Sequence, residues 1–455
     1  MKKLSEIVDT DLGISIAGIT DDSRNVKDNY LFVATHGYNV DHFDYIDDAI
    51  KNGASFIISD REINNYPHLV VDDIDNYYYE LCEKFYEVSP KEFYLIGVTG
   101  TDGKTTTTSV INQIIDNSAY IGTNGLYVKN KIYNTNNTTP CISELYKALK
   151  IVKENNIKTI VMEVSSEALL HDRLKNFKFD IIGFTNITED HLNIHKTLDN
   201  YIKCKMKLLE LLKNNGYCVI NGDDDNLQRI KCKHLVKFGV NNNNDYVIKN
   251  VIYDKNVNFN VNDSLIKSPL FGIYNVYNVA MSYVISKIYG VKEKDIIDKI
   301  SKIKTISGRR EVLNFGQEYT IILDYAHTYN GILNILDSVS NYKDIIVVTG
   351  CAGGREKEKR SKIGKMILDK CNTAIFTMDD PRYENVDDII DDMVKDSKKS
   401  YIRIIDRKKA IYKAFSIAKK GSVVLILGKG RDNYMAIEDR KEDYNDYDVI
   451  EKYFT

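Results

Sequence analysis

From Glu92 onward the chain alternates short, almost wholly apolar runs with longer segments whose apolar residues recur every three to four positions. The runs "FYLIGVTG", "TIVMEVSS", "DIIGFTNI" and "CVINGD" are rich in β-branched residues and read as buried strands. Helical periodicity falls near 104–117, 141–155 and 197–214. Such alternation predicts parallel sheets with helices on both faces. A second series starts near Gly308, with the strands "YTIILDYA", "DIIVVTG", "NTAIFTMDD", "YIRIID" and "SVVLILGKG" separated by helical segments. Residues 1–92 mix shorter apolar runs, Leu31–Ala34 and Phe56–Ile58, with helical stretches. The pattern predicts an α/β protein of three domains. A smaller α/β domain covers 1–92, a central parallel-sheet domain 93–308 and a Rossmann-like domain 309–455. Ligands of such sheets bind beyond the carboxyl ends of the strands, which is where the polar motifs of this chain fall.

Composition narrows the classes. A net charge of −3 over 455 residues gives no basic excess for nucleic acid or an anionic membrane. No apolar stretch approaches the roughly 20 residues of a spanning helix. Glu6, Asp9 and Asp11 break up any leader-like run at the start. The seven cysteines form no C-x-x-C pair, as expected in a reducing compartment. A cytoplasmic monomer with no nucleic-acid partner and no membrane insertion is expected.

The stretch "LIGVTGTDGKTTTTSVI", Leu95 to Ile111, carries the first chemistry. A strand ends at "IGV" and a helix starts at Thr105. Gly100 and Gly103 let the backbone N–H groups of Thr101, Asp102 and their neighbours turn inward. The helix N-terminus adds partial positive charge and Lys104 a full one. Thr105 and Thr106 supply hydroxyls, and Thr105 is placed to ligate Mg²⁺. Position 98 is Val, so the spacing departs from G-x-x-x-x-G-K-[ST], and Gly100 supplies the turn instead. The loop is read as a nucleotide-phosphate cradle, which makes the central domain a P-loop ATPase domain.

Further motifs follow in order: "TTP" at Thr138, "MEVSSEALLHDRL", "FTNITEDHLNIHKTLDNYIKCKMKL", "GIYNVYN", "SGRRE", "LDYAH", "GCAGGREKEKRSKIG", "DDPRYEN" and "GKGRDNY". With "GTDGKTTT" and the early "DDSRNVKDNYLFVATHG", the series resembles the Mur ligase family in its MurE type, over nearly the whole chain. Those enzymes use ATP to add a diamino acid to UDP-N-acetylmuramoyl-L-alanyl-D-glutamate in peptidoglycan precursor synthesis. The resemblance implies Mg²⁺ held by Thr105, Glu163, His191 and Lys205, the last as a carbamate. It assigns Asn278, Arg309 and Asp324 to adenine, phosphate and ribose. The catalytic set it implies is Lys104, Glu163, His191 and Lys205. The UDP-linked substrate would meet Ser23, the loop after Gly37, Thr138, Thr139, Ser165, His171 and Arg173. Read without the family, His191 and His195 are spaced like a zinc pair, but the glutamate of H-E-x-x-H is missing.

The resemblance maps the amino-acid pocket onto Arg360, Asp379, Asp380, Arg382, Gly428 and Asp432. Members that add diaminopimelate usually read D-N-P-R, with Glu in the last place. Asp380 and Asp432 stand at those positions here. Added anions favour a distal ammonium, whereas Arg382 suits a carboxylate. On that count lysine is narrowly favoured over meso-diaminopimelate. Other departures are Glu167-Ala168, His171, Asn193 and Tyr329-Asn330. Rival readings are a folylpolyglutamate or poly-amino-acid synthetase and a P-loop nucleotide switch.

Overall fold

The computed structural model describes residues 1–37, 40–253, 256–270 and 272–455. Tyr38 and Asn39, which open the loop after Gly37, lie outside them. The chain forms two compact units. The first comprises Met1–Thr99, Asp116–Ile182 and Cys204–Cys218, and the second Gly100–Ile115, Gly183–Lys203 and Val219–Thr455.

In the first unit, a parallel sheet runs Gly18–Thr20, Tyr30–Val33, Ala54–Ser59, His68–Val70. Phe56, Ile57 and Ile58 are buried in succession, as in a strand covered on both faces. Strand Thr159–Glu163 lies between Ser118–Gly122 and Tyr94–Thr99, parallel to both. Glu163 pairs with Val98, so its carboxylate stands at the end of the strand that leads into the phosphate loop. The helical periodicity expected to reach residue 214 stops sooner. The α-helix is Leu198–Met206, a 3-10 turn follows over Lys207–Leu211, and strand Leu212–Asn221 then begins. Lys213 lies in that strand, and its ammonium reaches both oxygens of Asp180 at 2.8 Å.

In the second unit, strands run Glu311–Leu313, Thr320–Asp324, Ser422–Leu427, Asp344–Thr349, Thr373–Phe376, Ile402–Arg403. All pairs but the first are parallel. Successive residues of each strand feed different cores. Ile322, Val347 and Leu425 join one, while Ile321, Leu323, Ile346, Val348, Val424 and Ile426 join the other. The two-sided burial explains why these segments read as unbroken apolar runs. An antiparallel ladder, Tyr246–Tyr253, Val257–Val261 and Ser264–Ser268, was not anticipated. Its asparagines masked the alternation of buried Val257, Phe259 and Val261. Helix Lys104–Ile114 packs on Tyr274–Tyr289. Among the described residues, no helix is long and apolar enough to cross a membrane.

Candidate active site

The turn after Thr99 is built by two glycines with positive φ, Gly100 at 154° and Gly103 at 86°. Neither has room for a side chain. A Cβ on Gly100 would sit 1.8 Å from Thr185 Oγ1, and one on Gly103 would sit 2.3 Å from Asn278 Oδ1. The segment Thr185–Thr188 pins the turn. The Thr101 amide donates to the Asn186 carbonyl (2.9 Å) and the Asp102 amide to Asn186 Oδ1 (3.0 Å). Thr185 Oγ1 donates to the Asp102 carbonyl (2.6 Å), and the Thr188 amide donates to Thr101 Oγ1 (3.0 Å). Lys104 Nζ donates to the carbonyls of Gly100 and Thr101, both at 2.9 Å. Burial pushes the Asp102 carboxyl up, against the pull of Lys104.

The loop opens onto a cleft of about 310 Å³ that also takes in Asn278, Arg309 and Asp324, so these expected nucleotide residues share one space. Arg309 donates to Thr105 Oγ1 (2.8 Å) and lies 4.9 Å from the centre of the Tyr325 ring. Asn278 donates to Asn275 Oδ1 (3.0 Å). The Asp324 oxygens accept from the amides of Arg310 (2.7 Å) and Ala326 (2.6 Å), which fixes the turns that carry Arg309 and His327. Phe238, Leu270, Tyr274, Tyr277 and Ile306 give the cleft an apolar wall suited to a flat base. Sequence reading missed these residues, as it missed Thr185, Asn186 and Thr188. Thr185 and Asn186 stand at the end of the predicted strand "DIIGFTNI" and Thr188 directly follows it, and that position was the available signal.

In the first unit, Glu163 is fully buried. Its Oε1 accepts from Tyr120 Oη (2.5 Å) and the Thr123 amide (2.9 Å), and Thr123 Oγ1 reaches Oε2 (3.3 Å). Thr138 Oγ1 lies 3.1 Å from Thr123 Oγ1. Thr139 Oγ1 donates to the Glu163 carbonyl (2.8 Å) and accepts from the Ser165 amide (2.9 Å). Arg173 donates to the Thr139 carbonyl (3.1 Å). Thr138, Thr139, Ser165 and Arg173 are therefore brought to the Glu163 strand end. Ser165 Oγ also caps helix Ser166–Leu170. His171 closes that helix, and burial followed by Arg173 pushes its imidazole pKa down. Lys205, buried, has Nζ 3.5 Å from Thr99 Oγ1. Ser23 is buried at the start of a 3-10 turn, with its carbonyl bonded to Asn52.

In the second unit, His191 adopts a left-handed backbone with φ 54°. Its Nδ1 lies 3.4 Å from Arg355 and its Nε2 3.6 Å from Asp190. Burial would raise the Asp190 carboxyl, but His191, His327 and Lys359 outweigh it and hold it well below the carboxylate range. Thr105 and His191 thus belong to the second unit, and Glu163 and Lys205 to the first.

In the expected amino-acid pocket, Arg360 is only 1% exposed. Its guanidinium donates to Glu384 (2.9 and 3.0 Å), Asp392 (3.1 Å) and the Ala352 carbonyl (3.3 Å). It ties the "GCAGG" turn to the loop that follows "DDPR". Arg382 has φ 52°; its guanidinium donates to the Gly353 carbonyl (3.1 Å) and its amide to the Ala436 carbonyl (3.0 Å). Lys429, missed in the sequence, lies 2.8 Å from Asp380 and 3.2 Å from Asp432. Asp380 also accepts from the Ala436 amide (2.8 Å). Gly428 has φ 110°, and a Cβ there would sit 2.0 Å from Asp379 Oδ2. Burial pushes the Asp379 carboxyl up.

Three family models match: the Mur ligase family catalytic domain over 15–86, the Mur ligase middle domain over 98–286 and the Mur ligase glutamate ligase domain over 308–430. A UDP-N-acetylmuramoyl-L-alanyl-D-glutamate–2,6-diaminopimelate ligase of Fusobacterium nucleatum is 35% identical over 98% of this chain and 95% of its own length. A solved structure of a ligase of that name matches with 26% identity and a TM-score of 0.62, over 99% of this chain and 98% of that one. MurF ligase from Thermotoga maritima, solved with ADP, matches in fold with a TM-score of 0.66 at 22% identity, over 90% of this chain and 93% of that one. Mur ligases are ATP-dependent, ADP-forming amide ligases of three α/β domains, and this chain belongs to that family, in its MurE type.

Proposed function

We propose that the chain adds 2,6-diaminopimelate to UDP-N-acetylmuramoyl-L-alanyl-D-glutamate in the cytoplasm, as a monomer, during peptidoglycan precursor synthesis. The names of the relatives support diaminopimelate, and lysine finds no support in them. The observation that carries the choice is the buried Lys429 ammonium between Asp380 and Asp432. The case for lysine counted both carboxylates as surplus negative charge facing the ligand. Lys429 meets that charge from within the protein, and Asp380 also holds the Ala436 amide. The Arg382 guanidinium keeps further N–H donors after its one bond to Gly353, and a guanidinium fork suits the distal carboxylate that lysine lacks. The proposal includes domains at 1–92, 93–308 and 309–455, with UDP at the first, ATP at the second and the amino acid at the third.

A carboxylate is a poor electrophile and must be activated. Its oxygen attacks the γ-phosphorus of ATP, the bond to the bridging oxygen breaks and ADP leaves, giving an acyl phosphate. The free amine then attacks the acyl carbon, phosphate departs, and an amide remains after loss of a proton. The first step joins two anions, so cationic groups and N–H dipoles must be fixed where the charge accumulates. Lys104, the N-terminus of helix Lys104–Ile114 and Arg309 at Thr105 fill that role. Arg173 and Thr139 orient the dipeptide.

The proposed donors for Mg²⁺ are, within the second unit, the Thr105 hydroxyl and His191, and, within the first, the Glu163 carboxylate and Lys205 as a carbamate. Hard oxygen atoms dominate that set, and it fits Mg²⁺ better than a softer cation. Bound there, Mg²⁺ would neutralise phosphate oxygens.

The test supplies the UDP-linked dipeptide, ATP and Mg²⁺, then meso-diaminopimelate, lysine, ornithine or lanthionine in turn. Phosphate release is expected with diaminopimelate and only weakly with lysine. Faster turnover with lysine overturns the choice.

A further inference from the structure

We infer that Arg407, Asp446 and Tyr444 form a positioning hub that fixes the two loops of the amino-acid pocket, and that the C-terminal helix is thereby part of the specificity apparatus. The inference rests on the proposal that "DDPR" and "GKGRD" bind the incoming amino acid. Helix Asp446–Phe454 opens on Asp446, which is fully buried. Arg407, at the start of helix Arg407–Ile417, is equally enclosed. Arg407 Nε donates to Asp446 Oδ1 (2.9 Å) and a terminal nitrogen donates to Oδ2 (2.7 Å), a two-pronged pair. Tyr444 Oη donates to Asp446 Oδ1 (2.8 Å).

The other guanidinium bonds give the pair its direction. Arg407 donates to the Leu427 carbonyl (2.9 Å) and to the Met378 carbonyl (3.3 Å). Leu427 immediately precedes Gly428, and Met378 immediately precedes Asp379. One planar cation therefore grips the last peptide groups before both loops. A second link runs beside it. The Arg431 guanidinium lies 3.5 Å from the centre of the Tyr447 ring, and Asn445 donates to Asn433 Oδ1 (2.7 Å). The end of "GKGRD" and the residue after it are thus tied to the N-cap and first turn of the last helix.

A buried ion pair is weak evidence for stability, since apolar residues of similar volume often hold a fold as well. Apolar residues cannot bond two carbonyls at fixed angles. The distinguishing property of Arg407 and Asp446 is loop geometry, and small displacements of a site's supporting groups cost affinity steeply.

The test uses the full chain and compares Asp446→Asn, Tyr444→Phe and the double variant Arg407→Met/Asp446→Leu, with thermal midpoints alongside. Asp446→Asn is expected to raise KM for diaminopimelate by about 10-fold or more, while KM for ATP stays within about 2-fold. Tyr444→Phe, the mildest change, raises it by about 3-fold. The double variant recovers the thermal midpoint but not the KM for diaminopimelate. Unmoved KM in Asp446→Asn, or a KM restored together with the midpoint in the double variant, overturns the hub. Phosphate release by the unaltered enzyme with no amino acid of the panel counts against the proposed substrate and the hub together. A normal reference with unmoved variants counts against the hub alone.

Discussion

The phosphate loop and the "DDPR" and "GKGRD" loops all follow the ends of parallel strands, yet they are held by different bonds. Around Gly100–Gly103 the ties are short, neutral bonds from amides, carbonyls and hydroxyls of Thr185–Thr188. Around Asp380 and Gly428 the ties are charged side chains from distant parts of the chain: Lys429 on Asp380, Arg360 on Glu384, Arg407 on Asp446. On the proposed assignment of the two sites, the difference matches the ligands. A triphosphate is recognised by N–H groups and a cation, so its cradle can be rigid and neutral apart from Lys104. An amino acid is told from its rivals by charge, so its pocket is framed by charges that must be balanced among themselves.

The sharpest way to break the contrast is Lys104→Ala. It removes the one cation of the phosphate loop and should lower kcat by about 10³-fold or more in steady-state phosphate release. Near-normal turnover would mean that the loop acts without its cation. Next come paired glycine changes. Gly103→Ala pushes a methyl into Asn278, and Gly428→Ala pushes one into Asp379. The first should raise KM for ATP and the second KM for diaminopimelate, each by about 10²-fold through strain and displacement. A crossed result would dissolve the division of labour. Arg382→Ala should raise KM for diaminopimelate by about 10-fold while hardly touching that for lysine, as measured with the amino-acid panel.

Asn186→Ala removes two neutral bonds, one from the Asp102 amide and one to its carbonyl, and should cost about 1 kcal/mol in ATP binding, read by calorimetry. The smallest effect concerns acid. The Arg360 guanidinium beside Glu384 holds its carboxyl down at about 2 from an ordinary 4.5. A carboxyl depressed in the folded state contributes stability above the ordinary value and loses it as pH falls toward the depressed one. Unfolding stability should therefore drop between about pH 5 and 2, and Glu384→Gln should flatten that limb in denaturant titrations.

The same contrast decides what could be read in advance. "GTDGKTTT" announces itself because its turn, cation and helix start are contiguous, and the structure adds the Thr185–Thr188 brace and Arg309 at Thr105. Strands such as Ser422–Leu427 were legible because burial on both faces leaves an apolar run. The ladder at Val257–Val261 was not, since its outward asparagines look like a loop. Lys429 was missed, and the partners of Arg360 stayed hidden, for another reason. The roles of both residues depend on carboxylates reached only after folding, and a lone arginine or lysine in a string of letters carries no mark of its partner.

The bonds from Lys104 to the carbonyls of Gly100 and Thr101 bear on how nucleotide is captured. An ammonium tethered to its own loop by two carbonyls keeps its charge at the mouth of the turn before any nucleotide arrives, so the side-chain entropy of placing it is spent on folding rather than on capture.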